Sequence, residues 1–267
     1  MIRCKPFLGT YVEICAGIDI AIDQAYTTIQ LVQDLMGFHD PQSELSQINA
    51  RAHIEPVQVH EWTFQVLCIA QELCKNTNGI FDCGVGGKLL KAGLLPKHSN
   101  LSQISCGSIM DLILTEPNLV SSKTPLTLDL GGIAKGFAVD QAVKALRRCG
   151  TTSGCVNAGG DLRVFGNLSQ EIYIRNPVNS KELVSLGTLK NGAIASSGLY
   201  YCDQFQPNQG HIVNPKTMEQ IQFTESYSVI APDCIYADAL TKVLAISKGK
   251  LQPCFQKYHA QAIGIRS

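Results

Sequence analysis

The 267-residue chain balances 22 Lys+Arg against 22 Asp+Glu, with 45% hydrophobic and 16% charged residues. A zero formal net charge argues against electrostatic binding of nucleic acid, which needs a positive face. No segment approaches the roughly 20 apolar residues of a membrane span, and the length suffices for one large core, so residues 1–267 are expected to form a single domain.

The opening residues Met1-Ile2-Arg3-Cys4-Lys5-Pro6-Phe7 lead into no apolar run of the signal-peptide kind, from which a cytoplasmic protein is expected. The 11 cysteines are odd in number and scattered through apolar segments such as Val66-Leu67-Cys68-Ile69-Ala70. They read as free, small packing groups in a reducing compartment. No C-x-x-C pair occurs, which argues against a zinc site.

Phe7 to Ala16 alternates and is rich in Tyr, Val and Ile, as a strand requires. Asp19 to Phe38 then places apolar residues at helical spacing. A polar stretch from Asp40 to Asn49 precedes a short strand at Pro56 to Val59. Glu61 to Thr77 is a helix stopped by Asn78-Gly79.

Ser108 to Leu114 and Leu119 to Leu130 read as extended arms around Glu116-Pro117-Asn118. A helix from Ile133 to Arg148 ends at Gly150. Short strands follow at Gly154–Asn157, Asp161–Phe165, Glu171–Arg175, Leu183–Leu189 and Ala193–Ser196. Another strand at Tyr227–Ile230, a helix at Cys234–Ser247 and a strand at Ala260–Arg266 close the chain. Interleaved blocks without a strict βαβ repeat predict a mixed α/β, or α+β, fold.

Three glycine-rich turns follow apolar runs: Asp129-Leu130-Gly131-Gly132-Ile133-Ala134-Lys135-Gly136, Val156-Asn157-Ala158-Gly159-Gly160-Asp161, and Ser196-Ser197-Gly198. Each is either a tight turn or a place where backbone approaches a phosphate-bearing ligand. The first matches neither the G-x-G-x-x-G nor the G-x-x-x-x-G-K-[ST] spacing. Its Asp129 would repel a phosphate unless it faced a cation or a ribose or base donor. Lys135 reads as a solvated cation or as a phosphate contact from the first helical turn. Asp238 sits in the apolar start of a helix, as a cap or as a hard-cation ligand, with Thr241 one turn later on the same face.

These turns belong to an ordered series. It runs through Leu8-Gly9-Thr10, Asp40-Pro41 with Ser43-Glu44-Leu45-Ser46 and Asn49, and Phe81-Asp82 before Val85-Gly86. It continues with Asp129 to Gly136, Asn157-Ala158-Gly159-Gly160-Asp161, Ser196-Ser197-Gly198, His211-Ile212-Val213 before Pro215-Lys216-Thr217, and Ala237-Asp238-Ala239-Leu240. The series resembles the ApbE family of flavin transferases, also called FAD:protein FMN transferases, over nearly the whole chain.

The resemblance implies two closely associated α/β lobes with a flavin cleft between them. It implies cleavage of FAD, transfer of FMN through a phosphoester to a threonine of a target flavoprotein, and release of AMP. By position, Leu8, His39, Ile80, Phe81, Asp82, Asp129 and Lys135 would line the FAD, with His211 and Val213 near it. A magnesium ion (Mg2+) would be held by the Gly132 carbonyl and the Asp238 carboxylate, with Thr241 the nearest hydroxyl. Lys135, His211 and Asp238 would carry the chemistry, a cation beside the pyrophosphate being the main electrostatic contribution.

The chain departs from the family pattern where a threonine usually completes the metal site, since Lys242 stands there. An ammonium cannot ligate magnesium, and Thr241 points about 100° away around the helix. Leu8 stands for the usual methionine, and Asn214-Pro215-Lys216-Thr217-Met218 for the usual Asp-Pro-x-Thr-Gly. The export signal and lipid-anchor cysteine of many relatives are not found. The same residues leave open FAD pyrophosphate hydrolysis to FMN and AMP, and a flavin-binding protein without catalysis in which Lys242 neutralises the pyrophosphate.

Overall fold

A computed structural model describes residues 1–99, 101, 103–177, 179, 181–198 and 212–265. The described residues group into two compact units. One draws on Met1–Leu31, Lys135–Gly210 and Gln222–Ser267, the other on Val32–Ala134 and His211–Ile221.

The first unit is built on a seven-stranded sheet. Its strands lie in the order Ile2–Phe7, Thr10–Ala16, Gly154–Ala158, Asp161–Phe165, Gly192–Ser197, Ser226–Ala231 and Gln261–Ile265. Every neighbouring pair is antiparallel. In Thr10–Ala16 the alternation is direct: Val12, Ile14 and Ala16 point inward and Tyr11 and Glu13 outward, as the two-residue period of a strand dictates.

On one face, Val12, Ile14, Val156 and Ala195 pack with Ile22 and Ile29 of the Asp19–Met36 helix, Val139, Val143 and Leu146 of the Ala134–Arg148 helix, and Ala237 of the Cys234–Ile246 helix. On the other, Cys155, Leu162, Val164 and Ile194 pack with Ile172 and Leu189. Those two residues come from an antiparallel ribbon of Gln170–Arg175 and Leu183–Leu189. The central strands are covered on both sides, which explains their near-continuous small and branched apolar residues.

The expected strand from Phe7 to Ala16 is corrected to two. Leu8 and Gly9 form a two-residue turn between paired Phe7 and Thr10, both with positive φ (54° and 71°). That arrangement fits the right-handed twist of a hairpin. Leucine adopts it against its own Cβ, at about 1–2 kcal/mol.

The second unit carries a three-stranded antiparallel sheet, Val57–Gln58, Leu119–Ser122 and Leu112–Thr115. With it go helices Glu44–Arg51, Glu61–Asn76 and Gly86–Lys91. The polar stretch after Asp40 proves to contain the first of these helices. Ser43 caps it by accepting the Ser46 N–H at 3.1 Å, and the Ser46 hydroxyl donates to the Asp40 carbonyl at 2.7 Å. Glu44 then accepts the His60 N–H and the Thr63 hydroxyl, so it fixes the start of the Glu61–Asn76 helix.

The extended arm expected from Leu119 to Leu130 pairs as a strand only to Ser122. Beyond it the backbone is satisfied otherwise. Thr127 N–H donates to the Ser105 carbonyl, and the Asn49 carboxamide accepts the Leu128 N–H at 2.7 Å and donates to its carbonyl at 3.0 Å. A side chain substitutes there for a neighbouring strand.

Candidate functional site

Two helices of the first unit meet with almost no space between them. A Cβ placed on Gly136 would lie 2.4 Å from the Cys234 carbonyl oxygen and 2.8 Å from the Ile235 Cα. Glycine at this position lets the N-terminal turns of the Ala134–Arg148 and Cys234–Ile246 helices approach.

The contact is held by two carboxylates working in opposite directions. Asp140 accepts the Cys234 and Ile235 N–H groups, each at 2.9 Å. It thereby satisfies donors at the start of a helix whose own N-cap, Asp233, makes no side-chain cap bond. Asp238 returns the interaction by accepting the Gly136 N–H at 3.0 Å. Arg163 bridges Asp140 and Asp233 from its strand. Sequence reading assigned no role to Asp140, Asp233 or Arg163. The usable signal was a carboxylate inside the apolar run Phe137-Ala138-Val139-Asp140, the same signal that marked Asp238.

Lys135 is an anchored cation, because its ammonium pairs with Asp161 of the Asn157-Ala158-Gly159-Gly160-Asp161 turn. Asp238 is fully enclosed, and its second oxygen receives the Lys242 ammonium from the next helical turn. Burial opposes the charge on both Lys135 and Asp238. The carboxylates of Asp161 and Asp238 nevertheless hold Lys135 above the ordinary lysine range, and the ammonium groups of Lys242 and Lys135 hold Asp238 below the ordinary carboxylate range. Thr241 is buried too. Its hydroxyl donates to the Asp238 carbonyl at 2.7 Å and accepts from the Ser197 hydroxyl at 2.8 Å, a link that ties the Ser196-Ser197-Gly198 motif to this helix.

The remaining expected site residues of the described chain are placed as follows. Leu8 occupies the positive-φ hairpin turn and packs partly against the first unit's core. In the second unit His39 is exposed, Ile80 half-buried, and Phe81 and Val213 buried. Asp82 binds the loop around it: it accepts the Gly84 and Ile109 N–H groups at 2.8 Å and the Ser108 hydroxyl at 2.6 Å. Asp129 accepts the Gly131 N–H at 3.2 Å, which shapes the turn containing Gly132. His211 lies outside the described residues.

Glycines after Asp82 have a packing reason. A Cβ on Gly84 would meet the Gly107 carbonyl at 2.1 Å, and one on Gly86 would meet the Thr127 carbonyl at 2.7 Å. Among the described residues, no group of three or more His, Cys, Asp or Glu side chains is arranged to hold a metal ion, and no helix is long and apolar enough to cross a membrane.

Comparison with known proteins gives the same assignment along sequence and fold. The ApbE family model matches residues 8–261. An FAD:protein FMN transferase of Rhodobacter capsulatus is 26% identical over 76% of this chain, which spans 42% of that protein's length. One of Vibrio cholerae is 28% identical over 82% of this chain and 70% of its own. The crystal structure of the ApbE protein of Thermotoga maritima superposes with a TM-score of 0.82 at 26% identity, covering 99% of this chain and 93% of that one. A match through residues 8–261, carried by a mixed α/β fold of the same architecture, establishes that the chain belongs to the ApbE family.

Proposed function

We propose that the protein is an FAD:protein FMN transferase and that residues 1–267 work as one catalytic domain. The observation that carries this reading is family membership over residues 8–261, supported by relatives that bear that activity in their names.

The reaction balances without a redox partner. The threonine oxygen of an acceptor flavoprotein bonds to the phosphorus of the FMN half, and the pyrophosphate P–O bond breaks. AMP leaves with the bridging oxygen and its electron pair, and the threonine proton passes to base or solvent. Catalysis of this kind is mainly positioning and charge neutralisation.

In this reading Lys135 contributes a permanent cation, since its raised pKa keeps it protonated across the neutral range. It sits in the first turn of the 15-residue Ala134–Arg148 helix, whose N terminus itself favours an anion. Leu8, His39, Ile80, Phe81, Asp82, Asp129 and Val213 are proposed to line the flavin nucleotide, with His211 near it as acid, base or contact.

Magnesium, implied by the resemblance at Gly132, Asp238 and Thr241, does not fit the donors that this chain offers. One Asp238 oxygen holds the Lys242 ammonium and the other the Gly136 N–H, and the Thr241 hydroxyl donates to the Asp238 carbonyl and accepts from Ser197, so a cation reaching the remaining lone pairs would sit against a fixed ammonium. No step is therefore routed through a metal. Lys242 on Asp238 is also the observation that favours a second reading, an FAD-binding protein without turnover.

The test is to incubate the purified protein with FAD and a threonine-containing acceptor peptide, following AMP and the mass of the peptide. Transfer gives AMP together with an FMN-labelled peptide, and an alanine-substituted peptide stays unlabelled. AMP without labelling points to hydrolysis. Bound FAD with no AMP points to the second reading.

A further inference from the structure

We propose that Lys242 replaces the divalent cation, so that this chain binds and uses FAD with the lysine ammonium in the position that Asp238 would otherwise give to a metal. This inference rests on FAD being the ligand.

The charges already close without a metal. Two buried carboxylates, Asp161 and Asp238, face two ammonium groups, Lys135 and Lys242. The four act on one another: Asp238 reinforces the charge of Lys135, while burial and Asp238 push Asp161 above the ordinary carboxylate range against the opposing pull of Lys135 and Lys242. Without flavin, a divalent ion on Asp238 would add two positive charges to a neutral cluster beside two fixed cations, where repulsion is less screened than in water. Burial of unbalanced charge is unfavourable enough that one partner would have to leave.

Geometry gives the lysine priority. Lys242 lies one helical turn after Asp238, so the helix itself returns the ammonium to the carboxylate at i,i+4. Magnesium needs near-octahedral oxygen donors. The Asp238 oxygens are divided between Lys242 and the Gly136 N–H, and the Thr241 hydroxyl is oriented by the Asp238 carbonyl and Ser197, so a metal would have to share these oxygens with a fixed ammonium. Turning Asp238 toward a metal would strip the Gly136 N–H of its acceptor at the place where the two helices touch.

The ammonium also has capacity to serve a phosphate. An ammonium carries three donors, and Asp238 is the acceptor recorded for Lys242 among the described residues. The Lys242 side chain keeps 19% of its surface exposed while Asp238 is fully enclosed. The carboxylate therefore fixes the inner side of the cation and leaves an outer side for pyrophosphate oxygens. As a point charge it neutralises oxygen without demanding a coordination geometry.

The test counts bound Mn2+ by electron paramagnetic resonance on the purified full chain without flavin, so it does not depend on the activity. Wild type is expected to leave Mn2+ free. Lys242→Thr is expected to bind it, and Asp238→Asn added to that variant is expected to abolish the binding. Lys242→Met, which keeps the stem and removes the charge, is the check should the threonine variant fold poorly. In parallel, FAD affinity read by flavin fluorescence is expected to be equal in EDTA and in Mg2+ for wild type. Stoichiometric Mn2+ binding by wild type that Asp238→Asn removes would overturn the inference, as would a loss of FAD affinity of about tenfold or more in EDTA. Both variants folding without gaining Mn2+ would also overturn it. Failure of FAD to bind under either condition would instead overturn the transferase reading, which the Mn2+ count leaves separable.

Discussion

Asp140 and Asp238 each bind the N-terminal turn of the other's helix: Asp140 takes the Cys234 and Ile235 N–H groups, and Asp238 takes that of Gly136. The exchange fixes the two helices that carry Lys135 and Lys242, so the placement of the charged cluster depends on it. Removing Asp140 leaves two backbone donors without their acceptor and Arg163 with Asp233 alone. Asp140→Ala is expected to cost about 2–5 kcal/mol, read as a fall in the urea midpoint. A change within experimental error would mean that the helix start finds other partners.

Gly136→Ala tests the closeness of the contact. The added methyl group would lie 2.4 Å from the Cys234 carbonyl oxygen, and only a shift of one helix relieves this. The expected destabilisation is about 1–3 kcal/mol, and FAD affinity should weaken with it because both lysines move. A variant as stable as wild type would show that the helices slide apart freely.

Asp238 and Lys242 should behave as a pair. Asp238→Ala leaves a partly exposed ammonium and the buried Gly136 N–H without their acceptor, at about 2–4 kcal/mol. Replacing both members, Asp238→Asn with Lys242→Met, is expected to cost clearly less than the two single changes summed. A double-mutant cycle measures the difference. Additivity would mean that the pair contributes no coupling.

This pairing also shows where sequence reading reached its limit. The carboxylate in an apolar helix start was visible at Asp238, and the lysine at position 242 could be seen as a departure. That the lysine folds back onto the aspartate was implicit in their i,i+4 spacing on one helix and was not drawn from it, whereas Asp161 completing the cluster depends on a tertiary contact that spacing does not specify. The strands between residues 154 and 197, that at Ser226–Ala231 and the helix Cys234–Ile246 were legible because the sheet is half or fully buried and the helix is a long, nearly uniformly buried apolar run, whereas the two-residue strands Val213–Asn214 and Glu219–Gln220 were too short to carry a periodic signal. The helix Glu44–Arg51 was missed because its polar run is stabilised by caps rather than by periodicity. The break at Leu8 was missed because a leucine with positive φ carries no turn signal.

Alkaline pH should weaken the fold. Burial pushes the Cys74 and Cys155 thiols up from 9.0 to about 12, with neighbouring acidic groups adding to it. Burial likewise raises Tyr26 from 10.0 to about 12. The folded chain keeps these protons while the unfolded chain releases them. Their contribution is therefore complete below pH 9.0 and lost as pH rises toward about 12. Urea midpoints should be flat up to that boundary, as far as these groups are concerned, and fall beyond it. Alkylation of Cys74 and Cys155 in the native protein should be slow until the fold opens. Rapid native alkylation at neutral pH would contradict the burial argument.

The most direct measurement for the account as a whole is a mass spectrum of a threonine-containing acceptor after incubation with wild-type protein and FAD in excess EDTA, with AMP quantified in the same sample. The account requires an FMN adduct on the threonine and AMP in equal amount. AMP and free FMN without an adduct, or bound FAD with neither product whether or not Mg2+ is supplied, would contradict it.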